Sequence, residues 1–558
     1  MKYPNLSAMH RSQCRLNGPR TVLRYKRNGL YHDVTWADYR WMADRAAAGL
    51  IELGVQHGDR VAILSENRYE WMVADQAILS TGSADVPLHA PLAPRQVEYQ
   101  VGHSESRGII VSNQNQADKV FQVLPALSNL EFLVSFEPVV APASSSKLRV
   151  LTWDGLMQRG GLAHLEQKIL AREAEITGDD LATIIYTSGT TGNPKGVMLT
   201  HGNLVGNAET TLAIGPQAPE DILLSWLPYS HIYARTCDLY VPAMAGSTVA
   251  LAESMDTLVL NLAETRPSTL TSVPRFYEKV WCRVENLPPE ACAAALKKIF
   301  GPRIRQLSSG GAPLPKHVCQ GFFNAGLPLL EGYGLTETSP VVSFNTVDNY
   351  KIGTVGRAIP GVEIKIAPDG EILVRGPNVM HGYWRNPEAT AEAIEKDGWF
   401  HTGDVGQLDA DGYLTITDRK KDLIITSAGK NIAPSELERI LVSDIYIDQA
   451  VVYGDGRRFV SALVVPNFEH LRQKAAELAC KLESNPDGFI QVPRIHEFLA
   501  QRIDAVMQQV SNPERVKKFL VLDRPFQVDA DELTATLKVR RNHIIRKYER
   551  QLAALYDD

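Results

Sequence analysis

The period of the hydrophobic positions changes along the chain, and each change marks an element. Residues 21–36 alternate on either side of Asn28-Gly29, which predicts a hairpin. Thr35 then caps a helix. In it Tyr39, Met42, Ala43, Ala46, Leu50 and Leu53 recur at helical spacing until Gly54 stops it. Apolar runs at Arg60–Leu64, 85–88 and 108–112 predict strands, separated by helices over about 70–80 and after Pro94. The alternation continues with strands at 181–186, 197–199, 221–227, 247–251, 269–273 and Gln306–Ser309. Residues 142–147 (PASSSK) read as a surface loop, and 351–361 and 376–378 as turn-rich. Strands alternating with helices predict an α/β fold, with parallel or mixed sheets covered by helices.

The character changes near Asp418. A strand at 413–417 is followed by five charged residues in a row, 418–422. Short strands are predicted at 423–426, 450–453 and 460–465. Ser435 and Glu438 have the spacing of a capping box. A last helix, with a basic face, is predicted over about 539–555. With 558 residues the chain is too long for one core, so two or more domains are expected. The net charge of −6 argues against nucleic acid as a partner. Six scattered cysteines without a CxxC fit a reducing compartment, and neither a disulfide framework nor a zinc site. The first eighteen residues hold no apolar stretch of signal-peptide length, and no apolar run reaches a membrane span. The expected location is cytoplasmic, with at most peripheral contact at the inner face of a membrane.

Residues 186–196 read YTSGTTGNPKG: three glycines, four hydroxyls and one lysine between two strands. Glycine lets backbone amides approach an anion, hydroxyls donate to phosphate oxygens, and Lys195 adds a point charge. A Walker loop needs glycine before its lysine and Ser/Thr after it; here Pro194 precedes and Gly196 follows. This is a nucleotide-phosphate loop of another kind.

The stretch resembles the phosphate loop of the adenylate-forming enzymes: acyl-CoA synthetases, firefly luciferase and peptide-synthetase adenylation domains. Further pieces match in the family's order: LPYSH at 227–231, GYGLTET at 332–338, TGD at 402–404, DRKKDLIITSAGKNI at 418–432 and TLK at 536–538. The similarity runs from about Thr35 onward. It implies a large N-terminal domain over 1–417, a hinge at 418–421 around Lys421, and a small mobile α+β domain over 422–558. It also implies two half-reactions. A carboxylate attacks the α-phosphorus of ATP and expels pyrophosphate; a thiol then attacks the acyl-adenylate and expels AMP. Neither needs a protein nucleophile, only positioning and charge neutralisation.

Under this resemblance Thr187, Ser188, Gly189, Thr190, Thr191, Gly192 and Lys195 hold the β- and γ-phosphates. Glu337 is the Mg2+ ligand and Thr336 touches the α-phosphate. Tyr333, beside Gly334, stacks on adenine, opposite the backbone of Gly310, Gly311 and Ala312. Asp404 and Arg419 bind the ribose. Lys538 touches the reacting carboxylate, although Ala535 stands where the family usually has proline. Gly429 and Lys430 serve the coenzyme A half-reaction, and His231 borders the acid pocket. The aromatic and aliphatic residues of 226–240, with Val341 and Val342, are expected to line an apolar tunnel.

Residues 227–233 hold no acidic residue to pair a substrate ammonium, so amino acids are disfavoured. The segments 272–279 and 397–404 resemble the long-chain fatty acyl-CoA synthetases most. A fatty acid, ATP and CoA are therefore the expected substrates. An aryl or medium-chain acid:CoA ligase, an acyl-AMP ligase serving a carrier protein, and a non-catalytic acyl-nucleotide sensor stand as alternatives. The sensor is disfavoured because Lys195, Glu337, Asp404, Arg419 and Lys538 are all present.

Overall fold

The computed structural model describes residues 1–161, 163–187, 194–420, 422, 424–426, 431–534 and 539–557. By contacts the chain divides into two compact units. One comprises Met1–Gly311, Gln320–Ile364 and Val374–His401; the other comprises Ala312–Cys319, Lys365–Leu373 and Thr402–Asp558.

The first unit is an α/β structure of two large sheets. The opening hairpin forms as its pattern predicts, Thr21–Arg27 against Leu30–Thr35. Asn28 and Gly29 turn it with φ of 53° and 78°, the pair of positive angles that matches the strands' twist. Thr35 caps the helix Trp36–Glu52 in a reciprocal box with Asp38. One helix has no counterpart in the pattern reading. Leu6–Asn17 buries Leu6, Met9, His10, Gln13 and Cys14 on one face, and the polar members of that face hide its periodicity.

Among the described residues, nine strands form the first sheet. Their order is Arg357–Ala358, Val341–Phe344, Leu329–Gly334, Gln306–Ser309, Thr269–Ser272, Ile222–Ser225, Thr248–Leu251, Thr21–Arg27, Leu30–Thr35. Thr269–Ser272, Gln306–Ser309 and Leu329–Gly334 run parallel and adjacent, so the residues after their carboxyl ends emerge along one edge. The second sheet has eight strands in the order Gly382–Tyr383, Lys195–Thr200, Leu181–Thr187, Ala84–Leu88, Arg60–Leu64, Gly108–Val111, Phe132–Ser135, Arg149–Thr152. Its inner strands are buried on both faces, which accounts for their unbroken apolar runs. Residues 142–147, read as plain loop, contain a 3-10 turn at Ala143–Ser145.

The second unit is α+β. Ile447–Tyr453 pairs antiparallel with Val460–Pro466, which pairs parallel with Val516–Val521. The helices Pro434–Leu441 and Pro493–Val506 bury Leu437, Ile440, Leu441, Ile495, Leu499 and Ile503 in the adjoining core. Two expectations need correction here. The helix expected to be capped by Ser435 opens two residues earlier, with Ala433 as cap and Pro434 first. Ser435 is therefore no cap: its amide and hydroxyl both donate to Asp418, at 3.0 Å each. Glu438 instead accepts from the Val452 amide and from Arg541. The last helix is two, Arg541–Lys547 and Glu549–Ala554, broken where Tyr548 leaves helical geometry. The Tyr548 ring lies near Phe489, and its hydroxyl receives a hydrogen bond from Arg524.

Candidate active site

The phosphate loop is bracketed by a hairpin. Leu181–Thr187 and Lys195–Thr200 pair antiparallel with Thr187 opposite Lys195, so the lysine expected in the loop is the first residue of a strand. Its ammonium lies 4.7 Å from the centroid of the Tyr383 ring. Thr187, like Lys195, is partly exposed. Tyr99 reaches the loop from outside, its hydroxyl donating to Pro194 O at 3.1 Å. Ser188, Gly189, Thr190, Thr191 and Gly192 lie outside the described residues.

The GYGLTET segment is built to a tight tolerance. A Cβ on Gly334 would fall 1.9 Å from Pro340 O, so only glycine lets the chain cross there. Asn207 clamps Val341 through both backbone groups, at 2.8 and 3.1 Å, and Asn378 donates to Thr338 O and Val341 O. Thr336 is buried and Glu337 is partly exposed. The Glu337 carboxylate accepts from Tyr383 Oη at 3.0 Å, and its carbonyl from Met380 N at 2.8 Å. Magnesium keeps most of its waters and takes one or two protein carboxylates plus substrate phosphates. Glu337, a partly exposed carboxylate held by Tyr383, suits that requirement for an ion arriving with ATP. Tyr333 ends the strand next to the one that leads into Gly310 and Gly311, so the two sides of the expected adenine slot leave neighbouring strands. Gly311 has φ of 82°. Ala312 falls in the second unit.

LPYSH follows the strand Ile222–Ser225, and three contacts hold it. Asn67 donates to Leu227 O at 2.6 Å and accepts from Tyr229 N at 2.9 Å. Ser230 Oγ lies 2.6 Å from His89 Nδ1. Burial draws the His89 pKa down to about 4, which keeps the ring neutral. His231 caps the next helical turn, its Nδ1 accepting from Tyr233 N at 3.2 Å. The Tyr233 ring packs on Gly310, where an added Cβ would meet it at 3.0 Å, so residues expected of the acid pocket and of the adenine slot are neighbours. Val341 and Val342 are buried in their strand.

Arg235–Tyr240 then forms a π-helical turn, a feature frequent at functional sites. Fully buried Arg235 starts it. Its guanidinium pairs with Asp75 at 2.5 Å and Asp85 at 2.8 Å, and donates to Thr183 Oγ1 and Tyr240 Oη. Thr183 lies on the strand that ends at Thr187, so the arginine ties the segment after LPYSH to that strand. Asp238, on the same turn, is buried against Ser225 Oγ at 2.9 Å, and burial raises its pKa to about 7.

In the second unit Asp404 and Arg419 are cross-strand partners, joined by an ion pair of 2.9 Å. Asp404 is buried and the arginine side chain is 41% exposed, so the pair presents its cationic end to solvent. Thr402 and Gly403 are fixed by Ile372 O and the Glu371 carboxylate. Asp418 joins Ser435, and Arg541 joins Ser435 and Glu438. Lys421, Gly429, Lys430 and Lys538 lie outside the described residues.

Sequence reasoning missed Tyr383, Asn207, Asn378, Asn67, His89 and Arg235. A usable signal existed for one group. Asp75 and Asp85 each stand in a largely apolar stretch, the pattern of a charge buried with a partner, whereas Arg235 has Thr236 and Asp238 close by and carries no such mark. The asparagine clamps carry no such mark.

A lysine and a carboxylate meet on one tyrosine at the end of a glycine- and hydroxyl-rich stretch, residue types that suit an enzyme handling a nucleotide. Profile matches give the class its name. An AMP-binding enzyme profile matches residues 11–384, and an AMP-binding enzyme C-terminal domain profile matches residues 421–558. The chain belongs to the AMP-binding enzyme family. It is 36% identical over 582 residues to a Mycobacterium bovis long-chain-fatty-acid–CoA ligase, FadD15, covering 95% of this chain and 93% of the relative. It is 28% identical to the Bos taurus long-chain-fatty-acid–CoA ligase ACSBG1, covering 97% of this chain and 83% of the relative. Its fold matches the anthranilate CoA ligase AuaEII, solved with anthranoyl-AMP, at a TM-score of 0.81 and 19% identity over 99% of this chain and 98% of that one.

Proposed function

We propose that the protein joins a long-chain fatty acid to coenzyme A through an acyl-adenylate, at the cost of converting ATP to AMP and pyrophosphate. The observation that carries this reading is the convergence of Lys195 and Glu337 on Tyr383: a cation for phosphate and a carboxylate for its metal, set on one aromatic side chain. The fatty acid comes from the activity of the relatives, long-chain-fatty-acid–CoA ligases, and from residues 227–233, which offer no counter-ion to an amino acid.

In this reading residues 187–192 and Lys195 bind the β- and γ-phosphates, and Glu337 holds the magnesium that enters with ATP. Thr336 contacts the α-phosphate. Tyr333 and Gly334 face Gly310, Gly311 and Ala312 across adenine, and the Asp404–Arg419 pair takes the ribose. Lys538 neutralises charge at the reacting carboxylate during adenylation. The unit beyond Lys421 then turns, so that Gly429 and Lys430 admit the thiol. His231 and Tyr233 begin the wall of the acid pocket. The acid itself supplies the nucleophile, and the chain's groups orient it and balance charge.

ATP–pyrophosphate exchange with saturated and aromatic acids from acetate to stearate, with and without CoA, tests this. Each buried methylene should add about 0.8 kcal/mol until the tunnel is full. Exchange rising with chain length, and thioester formed with free CoA, is the expected result. A sharp optimum at a short or aromatic acid, or adenylate without thioester, would remove the long-chain CoA assignment.

A further inference from the structure

Tyr383 is joined to both halves of the phosphate-binding machinery. The strand Gly382–Tyr383 is the edge of the eight-stranded sheet and pairs with Lys195–Thr200. The backbone around it is stitched alternately to two places. Met380 N donates to Glu337 O at 2.8 Å; His381 N donates to Met198 O at 3.0 Å, and Trp384 N to Gly196 O at 2.7 Å. The side chain repeats the arrangement. Its hydroxyl donates to Glu337 Oε1 at 3.0 Å, and the Lys195 ammonium lies over its ring at 4.7 Å.

The conformation of Tyr383 is over-determined. Its amide donates to Thr390 Oγ1 at 2.9 Å, and a Cβ on neighbouring Gly382 would meet Thr390 Cγ2 at 2.7 Å. The residue is 9% exposed, so the phenol has little freedom to swing away.

From this geometry we infer that Tyr383 is a positioning residue for Mg·ATP: its hydroxyl aims the Glu337 carboxylate at the metal, while its ring fixes Lys195 at a set distance from that carboxylate. The inference rests on the reading of Glu337 as the magnesium ligand. The chemistry suits the task. A neutral phenol orients a carboxylate without cancelling its charge, so the oxygens stay good ligands for a hard cation. An aromatic face attracts an ammonium without neutralising it, so Lys195 keeps its charge for phosphate. A second carboxylate in place of the tyrosine would bind the lysine and repel Glu337.

Binding measurements separate this role from simple packing. Calorimetric titrations would use a non-hydrolysable ATP analogue with Mg2+, the same analogue without metal, and AMP. Tyr383→Phe should weaken the Mg2+-loaded analogue about tenfold, the loss of one hydrogen bond to a charged group, and raise the Mg2+ concentration needed for half-saturation. Its affinity for AMP and for the metal-free analogue should match wild type, because ring and lysine are kept. Tyr383→Leu should lose affinity for the metal-free analogue as well. Mn2+ in place of Mg2+, followed by electron paramagnetic resonance, gives a second readout: the bound-metal signal should broaden in Tyr383→Phe as the carboxylate is freed. Glu337→Gln is the reference. If it leaves the metal dependence intact, Glu337 is not the ligand, and the underlying reading falls together with this inference. If Glu337→Gln loses the metal dependence while Tyr383→Phe binds and broadens like wild type, the inference alone is overturned. A Tyr383→Phe protein that weakens AMP as much as Mg·analogue would mark the residue as packing and overturn it equally.

Discussion

Each unit holds an arginine that gathers acidic groups from distant parts of its chain, and the two differ in their access to water. In the first unit Arg235, Asp75 and Asp85 are at most 2% exposed, and Thr183 and Tyr240 complete the shell. In the second, Arg541 is 11% exposed, Glu438 16% and Asp422 19%, and the contact to Asp422 is a loose 3.5 Å. A sealed cluster has one arrangement, because any other strands a charge in low dielectric. A cluster at the edge of water can exchange partners at little cost. The sealed one lies between the π-helical turn Arg235–Tyr240 and the strand Leu181–Thr187. The wetter one joins Asp418, Ser435 and Glu438 to a residue three positions beyond Lys538, in the part of the chain proposed to turn between half-reactions.

The comparison can be broken at several points. Arg235→Met should have the largest effect: it leaves two buried carboxylates without their cation, a loss of about 3–5 kcal/mol, read from urea denaturation of the purified protein. Lys538→Ala should slow acyl-adenylate formation about a hundred- to thousandfold, some 3–4 kcal/mol in the barrier, and spare thioester formation from supplied acyl-AMP. Equal loss in both half-reactions would cancel the role given to that lysine.

Asp238 offers a pH handle on the sealed side. A carboxyl whose folded-state pKa is raised binds its proton preferentially in the folded protein. Its contribution to stability is therefore full below the unfolded value of 3.8 and is lost as pH rises through about 7. Asp238→Asn should remove that part of the slope, worth on the order of 2 kcal/mol between about pH 5.5 and 8, visible as a smaller fall in melting temperature. Asp75, also drawn up to about 7 by burial against the pull of Arg235, keeps its own share of the slope. Arg541→Met should have the smallest effect, about 1–2 kcal/mol in denaturation, because water replaces part of what is lost. A loss as large as that of Arg235→Met would show that the second cluster is as rigid as the first.

Most of the sheet architecture was legible in the sequence because its strands are short apolar runs bounded by turn residues, as at Arg60–Leu64 and Gln306–Ser309. The helix Leu6–Asn17 was not legible, since His10 and Gln13 occupy its buried face, His10 beside Cys14 one turn on and Gln13 donating to the distant Met244 O. The capping box at Ser435 failed for a related reason. A local four-residue pattern competed with Asp418, seventeen residues earlier, and the long-range acceptor won. The loop, LPYSH and GYGLTET motifs announced themselves through glycines and hydroxyls. Their supports, Asn67, Asn207, Asn378 and Tyr383, act through long-range hydrogen bonds that leave no periodicity to read.

The hairpin that brackets the phosphate loop also sets a rule about which mutations the region tolerates. Side chains in a strand alternate between faces, so a one-residue slip of Lys195–Thr200 against Leu181–Thr187 would send Lys195 to the side away from Tyr383. Lengthening the loop between residues 187 and 195 costs only the slow logarithm of its closure entropy. For folding, insertions and deletions should therefore be filtered by parity: tolerated between the paired ends, whatever they do to phosphate binding, and damaging in odd numbers within the strands. A library of single-codon insertions across 181–200 would display that alternation as a map of where length, as opposed to identity, carries the information.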